Sequence, residues 1–421
     1  MWWDPLGVVP RIRPWLWMGL AMLVVALQGP AFVGSLRPDR HTGVDFFQEW
    51  ASAKNYLAGL PVYTPHTQTI PRYLGLDVSG ASADAVRVQI DVNAHPPASV
   101  LLAIPLARLD YPDAVLAWNL VSLALFAISV AVVTRTLGVP WSIWSAAPAV
   151  VLLLLASPLR QQVGQGQLNA LLLALLTAAW LADRSGRSIG AGAAIGVATA
   201  VKIFPGFLAV YFLFRRDWKA LAGWAAALAI VTGCSLAVLG VDSHVSYVRD
   251  VLPKVGGYRS SWLNASLVGY FTRLFDPATA QERVEPIWRS PTLAVLASAL
   301  AVLTVTIIWA IEVARVQSQS GRDRSLATGM TAMLLVSPIT WDHYFLLLAL
   351  PLTIVWRDAT TTARRLALLA IVFVAFMNPM LVWNPIIGAA STAGPAHSLL
   401  LLGVPTYALV GLYWLQLKQG G

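Results

Sequence analysis

"RIRPWLWMGLAMLVVALQGPAFVGS", residues 11–35, is an apolar stretch of about twenty residues behind two arginines, Arg11 and Arg13. A run of that length spans roughly 30 Å of hydrocarbon as a helix. A secretory signal has a shorter apolar region. The stretch therefore reads as a retained first membrane helix with its N-terminus in the cytoplasm. The rest of the chain agrees, with 57% hydrophobic and 12% charged residues among 421. Soluble domains carry about 25% charged residues, so half the usual solvating surface is absent. The 18 Trp residues suit the membrane–water interface. These features predict an all-α polytopic membrane protein, a single integral membrane domain over residues 1–421.

Apolar runs and basic breaks give about 12 transmembrane or half-spanning helices, near 15–36, 113–135, 140–157, 168–183, 189–201, 203–214, 219–241, 291–314, 326–339, 342–356, 365–387 and 397–416. Threaded from a cytoplasmic N-terminus, they put every short basic break on one side: Arg135, "DRSGR" (183–187), "RRDWK" (215–219), "RVQSQSGRDR" (315–324), "RDATTTARR" (357–365) and Lys418. The opposite short connections hold only Arg160 and Lys202. Basic residues mark cytoplasmic loops, so both termini are expected in the cytoplasm. Two long extracytoplasmic loops remain, 37–112 and 242–290. The net charge of +9 follows from this bias, with the lipid bilayer as partner rather than nucleic acid. A composition rich in Ala and Arg leans towards a bacterial plasma membrane. The single cysteine leaves no disulfide framework, and no metal-ligand motif or nucleotide fingerprint occurs.

Four segments, 189–201, 203–214, 326–339 and 342–356, are too short to cross. Each pair is split on the outer side, by "KIFP" (202–205) and by "SPITWDHY" (337–344). Irregular backbone at membrane depth is tolerated where it is buried in protein or lines a wet cavity. Chemistry is therefore expected to face away from the cytoplasm.

The candidates follow from that placement. In "GVDFFQEW" (43–50), Asp45 lies about ten residues past the first helix, beside the outer lipid surface. Its aromatic neighbours would desolvate it and raise its pKa towards that of a general base. The other reading makes Asp45 a helix cap or loop acid, sharing one helical face with Glu49. Asp342 and His343, beside Trp341, are either ionisable groups of a site or a cap and a carbonyl partner. Lys202 either meets an anion such as a phosphate or snorkels to the interface. Gln161, Gln162, Gln165, Gln167 and Asn169 in "RQQVGQGQLNALLLALL" (160–176) suit a hydroxyl-rich ligand, or serve as interhelical glue. Arg249, Lys254, Arg259 and Arg273 of the second loop could receive a phosphate or remain solvated. "NAS" (264–266) has the form of a glycosylation sequon.

In order along the chain stand "GVDFFQEWASAKNYLAGLPVY", "HPPASVLLAIPLA", "GQGQLNALLLALLTAAWLADRSGR", "AAIGVATAVKIFPGFLAVYFLFRRDWKAL", "SLVGYFTRLF" and "SPITWDHYFLLLALPL". That order resembles glycosyltransferase family 87, which includes actinobacterial α-mannosyltransferases using polyprenyl-phosphate-mannose. The resemblance implies a GT-C architecture and an inverting transfer from a polyprenyl-phosphate sugar, with no cofactor, to a glycolipid or glycan acceptor. It implies catalytic roles for Asp45, as base, and for His343 of the W-x-H-Y element. Lys202 matches the K-x-x-P element, and Glu49, His95, Gln165, Gln167, Asn169, Arg259, Trp341 and Asp342 are candidate substrate-binding residues. His95 stands where an aromatic commonly precedes the Pro-Pro pair. Two alternatives stay open: transfer of a pentose such as arabinose, and a secondary transporter or flippase of lipid-linked sugar, which broken helices also suit.

Overall fold

The computed structural model describes residues 13–40, 42–77, 91–139, 142–276, 286–376 and 400–417. Every regular element among them is helical. The chain divides into two compact units: residues 32–128 with 161–256, and residues 1–31 with 129–160 and 257–421.

Four helices are long and apolar enough to cross a bilayer: Pro14–Leu36, Tyr111–Thr136, Trp218–Ser260 and Pro291–Arg315. A fifth span forms if Ala146–Leu155 and Ser157–Gln165, bent by 58° at their junction, count as one. Others of the expected segments appear as shorter helices, among them Asn169–Arg184 and Ser188–Val201. By length and apolarity alone the described residues thus hold fewer full spans than the twelve segments expected. Parts of the segments at 365–387 and 397–416, and Lys418, lie outside the described residues. The long helices turn their apolar side chains outwards, with Trp15, Met22, Ile230, Val295 and Leu300 all largely exposed. Such surface is intolerable in water but is what hydrocarbon tails contact.

Both expected breaks are present. The Ser188–Val201 helix stops at Lys202, whose backbone is extended, and Pro205 opens a 3-10 turn before Ala209–Phe214. The Gln319–Val336 helix stops at Ser337, and a 3-10 segment from Asp342 to Leu348 leads into Ala349–Asp358. In each case proline, at 205 or 338, cannot donate to a continuing ladder.

The described residues between 37 and 112 include the short helices Phe47–Leu57, His66–Leu74 and Pro97–Ala103. Gly240, at φ +79° and ψ 164°, is not helical and interrupts the chain with a kink, after which a second helical stretch runs to Ser246. A π-helical turn, Tyr247–Val251, and Leu267–Phe275 follow.

One contact fixes the frame that carries Lys202. The Ser188–Val201 and Trp218–Ser246 helices approach until a Cβ on Gly192 would stand 1.7 Å from the Ala220 carbonyl oxygen. On Gly196 it would stand 2.4 Å from that of Trp224, and on Gly223 2.2 Å from that of Ile189. Small residues four apart allow helices in lipid to meet backbone to backbone, where van der Waals contact replaces the hydrophobic effect. Gly192→Val should separate these helices. We expect a sharp fall in the yield of folded protein from detergent and an unfolding midpoint lower by several degrees. An unchanged midpoint would show that the contact is dispensable.

Candidate functional site

In the unit formed by residues 32–128 and 161–256, the sequence brings three candidates into direct contact. Asp45 is half-buried between buried Val44 and Phe46, at the start of the Phe47–Leu57 helix. Its carboxylate Oδ2 accepts a hydrogen bond from Gln167 Nε2 at 2.6 Å. Gln167 Oε1 accepts in turn from Lys202 Nζ at 3.4 Å. An ammonium can only donate and an ionised carboxylate can only accept. The amide between them therefore has one workable orientation, bonding the acid at one end and the cation at the other. Gln167 and Lys202 are each 5% exposed.

The backbone around this relay is fixed locally. Gln165 accepts at its side-chain oxygen from the Asp45 N–H (3.3 Å) and at its carbonyl from the Phe46 N–H (2.9 Å). Gln165 is thus engaged with the chain that carries Asp45. Gly166 takes φ +63°, a region that L-residues avoid. Phe46 stacks on Trp118 with ring centres 5.6 Å apart, and Trp118 Nε1 donates to the carbonyls of Gly166 (2.9 Å) and Gln167 (3.2 Å). Buried Gln162 donates its Nε2 to the same Gln167 carbonyl, and the Tyr111 hydroxyl accepts from the Val44 N–H at 2.9 Å. Gln162 stood in the amide cluster of residues 160–176, whereas Trp118 and Tyr111 were not among the sequence candidates. Trp118 lies inside an apolar segment and Tyr111 at its mouth, where indole and phenol look like ordinary membrane anchors.

Glu49 and His95 pair with one another through Oε1 and Nδ1. This pair fastens the 93–97 turn to the Phe47–Leu57 helix. Gln48 adds a bond from the Ala94 N–H (3.0 Å), and Asn93 bonds Ser52 (3.1 Å). Glu49 is only 2% exposed, so a burial cost of several kcal/mol is offset by the imidazole. Asn169, fully buried, has no protein partner for either amide atom. An amide in that state is a place for a bound hydroxyl or water.

Arg249 and Lys254 of the same unit pair with Asp250 (2.9 Å) and Asp91 (2.7 Å), and the other candidates belong to the other unit. Asp342 Oδ2 accepts from Ser157 Oγ at 2.6 Å, and its Oδ1 lies 3.6 Å from His343 Nδ1. His343 is 7% exposed and meets Tyr344 edge-on, with ring centres 5.0 Å apart. Trp341 faces Tyr258 at 6.5 Å. Arg259 is exposed. Ser157, which holds Asp342, was not foreseen.

The Asp45–Gln167–Lys202 relay yields a specific expectation. A hydrogen bond to a charged group contributes about 1.5–3 kcal/mol, so Gln167→Leu should slow turnover roughly 10- to 150-fold. The rate at saturating donor is the measurement. Loss of apparent donor affinity alone, with turnover intact, would place Gln167 in binding instead.

Comparison with known proteins gives this arrangement a family. The model described as Glycosyltransferase family 87 matches residues 93–338. The polyprenol-phosphate-mannose-dependent alpha-(1-2)-phosphatidylinositol mannoside mannosyltransferase of Mycolicibacterium smegmatis is 27% identical over 316 residues, 69% of this chain and 67% of that protein. The Mycobacterium tuberculosis protein of the same description is 27% identical over 317 residues, again 69% of this chain and 67% of the relative. A solved structure, ArnT from Cupriavidus metallidurans bound to undecaprenyl phosphate, aligns with 96% of this chain and 77% of its own at 18% identity and a TM-score of 0.39. The matched stretch includes Gln167 and Lys202 but stops short of Asp45 on one side and His343 on the other. It takes in more than half of the sequence, and the chain belongs to glycosyltransferase family 87.

Proposed function

We propose that this glycosyltransferase moves mannose from polyprenyl-phosphate-mannose to a glycolipid or glycan acceptor on the outer face of the plasma membrane. Asp45 is the base and the fold is of GT-C type. The observation that carries the reading is the relay in which Gln167 holds the Asp45 carboxylate and the Lys202 ammonium on its two ends. Relatives described as polyprenol-phosphate-mannose-dependent mannosyltransferases support the donor.

The chemistry is one displacement. An acceptor hydroxyl within about 2.6–3.2 Å of Asp45 loses its proton to the carboxylate as its oxygen bonds to the anomeric carbon. The bond from that carbon to the phosphate oxygen breaks, and the electron pair leaves with the polyprenyl phosphate. Configuration at the anomeric carbon inverts. Negative charge grows on the phosphate, and fixed cations stabilise it most where water is scarce. Lys202 and His343 are proposed for that role, His343 on the strength of its W-x-H-Y setting and the Asp342 carboxylate beside its ring. Both termini are proposed to be cytoplasmic, as the distribution of Lys and Arg supports.

Membranes containing the protein, supplied with radiolabelled polyprenyl-phosphate-mannose, test the reading. Label should enter an extractable glycolipid or a glycan. No incorporation from mannose, with incorporation from a polyprenyl-phosphate pentose, would replace the sugar and keep the base. Incorporation from neither would remove the function.

A further inference from the structure

The sequon "NAS" at 264–266 is not a surface acceptor. Asn264 is 1% exposed, and all four of its side-chain hydrogen-bonding positions are taken. Nδ2 donates to the carbonyls of Arg259 and Pro338, both at 2.9 Å. Oδ1 accepts from the Ser266 N–H at 3.0 Å and the Thr340 N–H at 2.9 Å. An amide offers two donors and two lone pairs, so this one is saturated, and by backbone groups alone. Its packing is equally tight, since a Cβ on Gly269 would stand 2.4 Å from the Asn264 Cγ.

Two of the four bonds reach the break that precedes His343. Pro338 and Thr340 lie within "SPITWDHY", and the Ala265 N–H adds a bond to the Thr340 carbonyl at 2.8 Å. Thr340 is itself fully buried and donates its hydroxyl to the Leu334 carbonyl at 2.6 Å. Ser337 closes the turn from within, donating to the Ile339 carbonyl at 2.7 Å. Behind Asn264 stands Arg273, whose Nη1 donates to the carbonyls of Ser261 (2.8 Å) and Asn264 (2.7 Å). Burial pulls that guanidinium down to about 10, so it remains charged at neutral pH and holds both carbonyls with charge-assisted bonds.

A helix interrupted by proline leaves backbone groups that need partners. Here one asparagine supplies them on both sides of Ile339. We propose that Asn264 is a positioning residue for glycosyl transfer: it fixes the course of residues 338–340 and through them the placement of Trp341, Asp342 and His343, without touching substrate. The inference rests on the proposed catalytic role of His343. A shift of about 1 Å in a catalytic group can cost 10²-fold in rate, so a support of this kind should register in turnover rather than in binding.

The test is a double-mutant cycle between Asn264→Ala and His343→Asn, read as mannose transfer by purified full-length protein. Asn264→Asp accompanies it because it keeps the side-chain volume and both acceptor positions. Residues in one network couple, whereas independent ones add. Asn264→Ala should lower kcat at least tenfold in the wild-type background and no more than threefold in the His343→Asn background. KM for donor and acceptor should stay within twofold, and Asn264→Asp, folded by its elution and unfolding midpoint, should show the same loss of kcat. Equal fold-losses in both backgrounds would overturn the proposal and leave Asn264 a structural residue. So would a rise in KM with kcat intact. If wild type transfers sugar and His343→Asn is unimpaired, the role of His343 fails and this inference with it. If wild type transfers none, the fault lies with the proposed function itself.

Discussion

Asp45→Asn should abolish sugar transfer while leaving a folded protein. The substitution keeps the size of the side chain and its ability to bond Gln167, whose amide then meets an amide instead of a carboxylate. What it removes is the capacity to take a proton. A positioned general base is worth about 10²–10⁴ in rate, so incorporation of label should fall at least 10²-fold at matched expression. Because Asp45 is half-buried and its neighbours Val44 and Phe46 carry the packing, the unfolding midpoint should move by no more than a few degrees. A variant that keeps more than a tenth of the wild-type rate would take Asp45 out of the mechanism. Asp45→Glu is a useful companion: it retains the base but displaces it by a methylene, and an intermediate loss would argue for position as well as chemistry.

The membrane character and both helix breaks were legible in the sequence, because apolar length and proline act locally. "KIFP" and "SPITWDHY" predicted the two interruptions, and the backbone leaves the helix at Lys202 and at Ser337. The span count was less legible. A run of apolar residues does not report whether its helix is straight or bent, as at the 58° junction after Leu155.

Within the site, amide-rich "GQGQ" announced polar contacts, yet the sequence did not divide the labour. Gln165 fixes the backbone of Asp45 and Phe46, Gln167 holds the carboxylate, and Gln162 holds the Gln167 carbonyl. The first two depend on tertiary approach between stretches more than a hundred residues apart, whereas the third is local, five residues apart. Glu49 and His95 were each legible as candidates for substrate, whereas their mutual pairing was not. Asn264 was visible only as a sequon, since a saturated buried amide and an exposed one have the same letter.

Gly166→Ala should be nearly as damaging as loss of the base, for reasons that are wholly mechanical. Two effects combine. Gly166 holds φ +63°, where an L-residue costs roughly 1–2 kcal/mol. Its added Cβ would also lie 2.6 Å from the Phe46 Cβ, and that atom belongs to the backbone end of the side chain, so no rotamer change relieves the clash. Overpacking of this kind costs about 1–3 kcal/mol. Phe46 cannot retreat freely, because it is stacked on Trp118, and Trp118 is bonded to the carbonyls of Gly166 and Gln167. The strain must therefore go into the two chains that meet there, one carrying Asp45 and the other Gln167. Both neighbours of the relay move apart, so the 2.6 Å bond between them is the contact that gives way. Turnover should fall about 10²-fold, the effect of a displacement near 1 Å, together with a lowered unfolding midpoint. Phe46→Gly in the same chain, which removes the clashing Cβ, should restore part of the rate lost to Gly166→Ala. If Gly166→Ala alone is both stable and active, the close approach of these two chains is not what holds Asp45 in place.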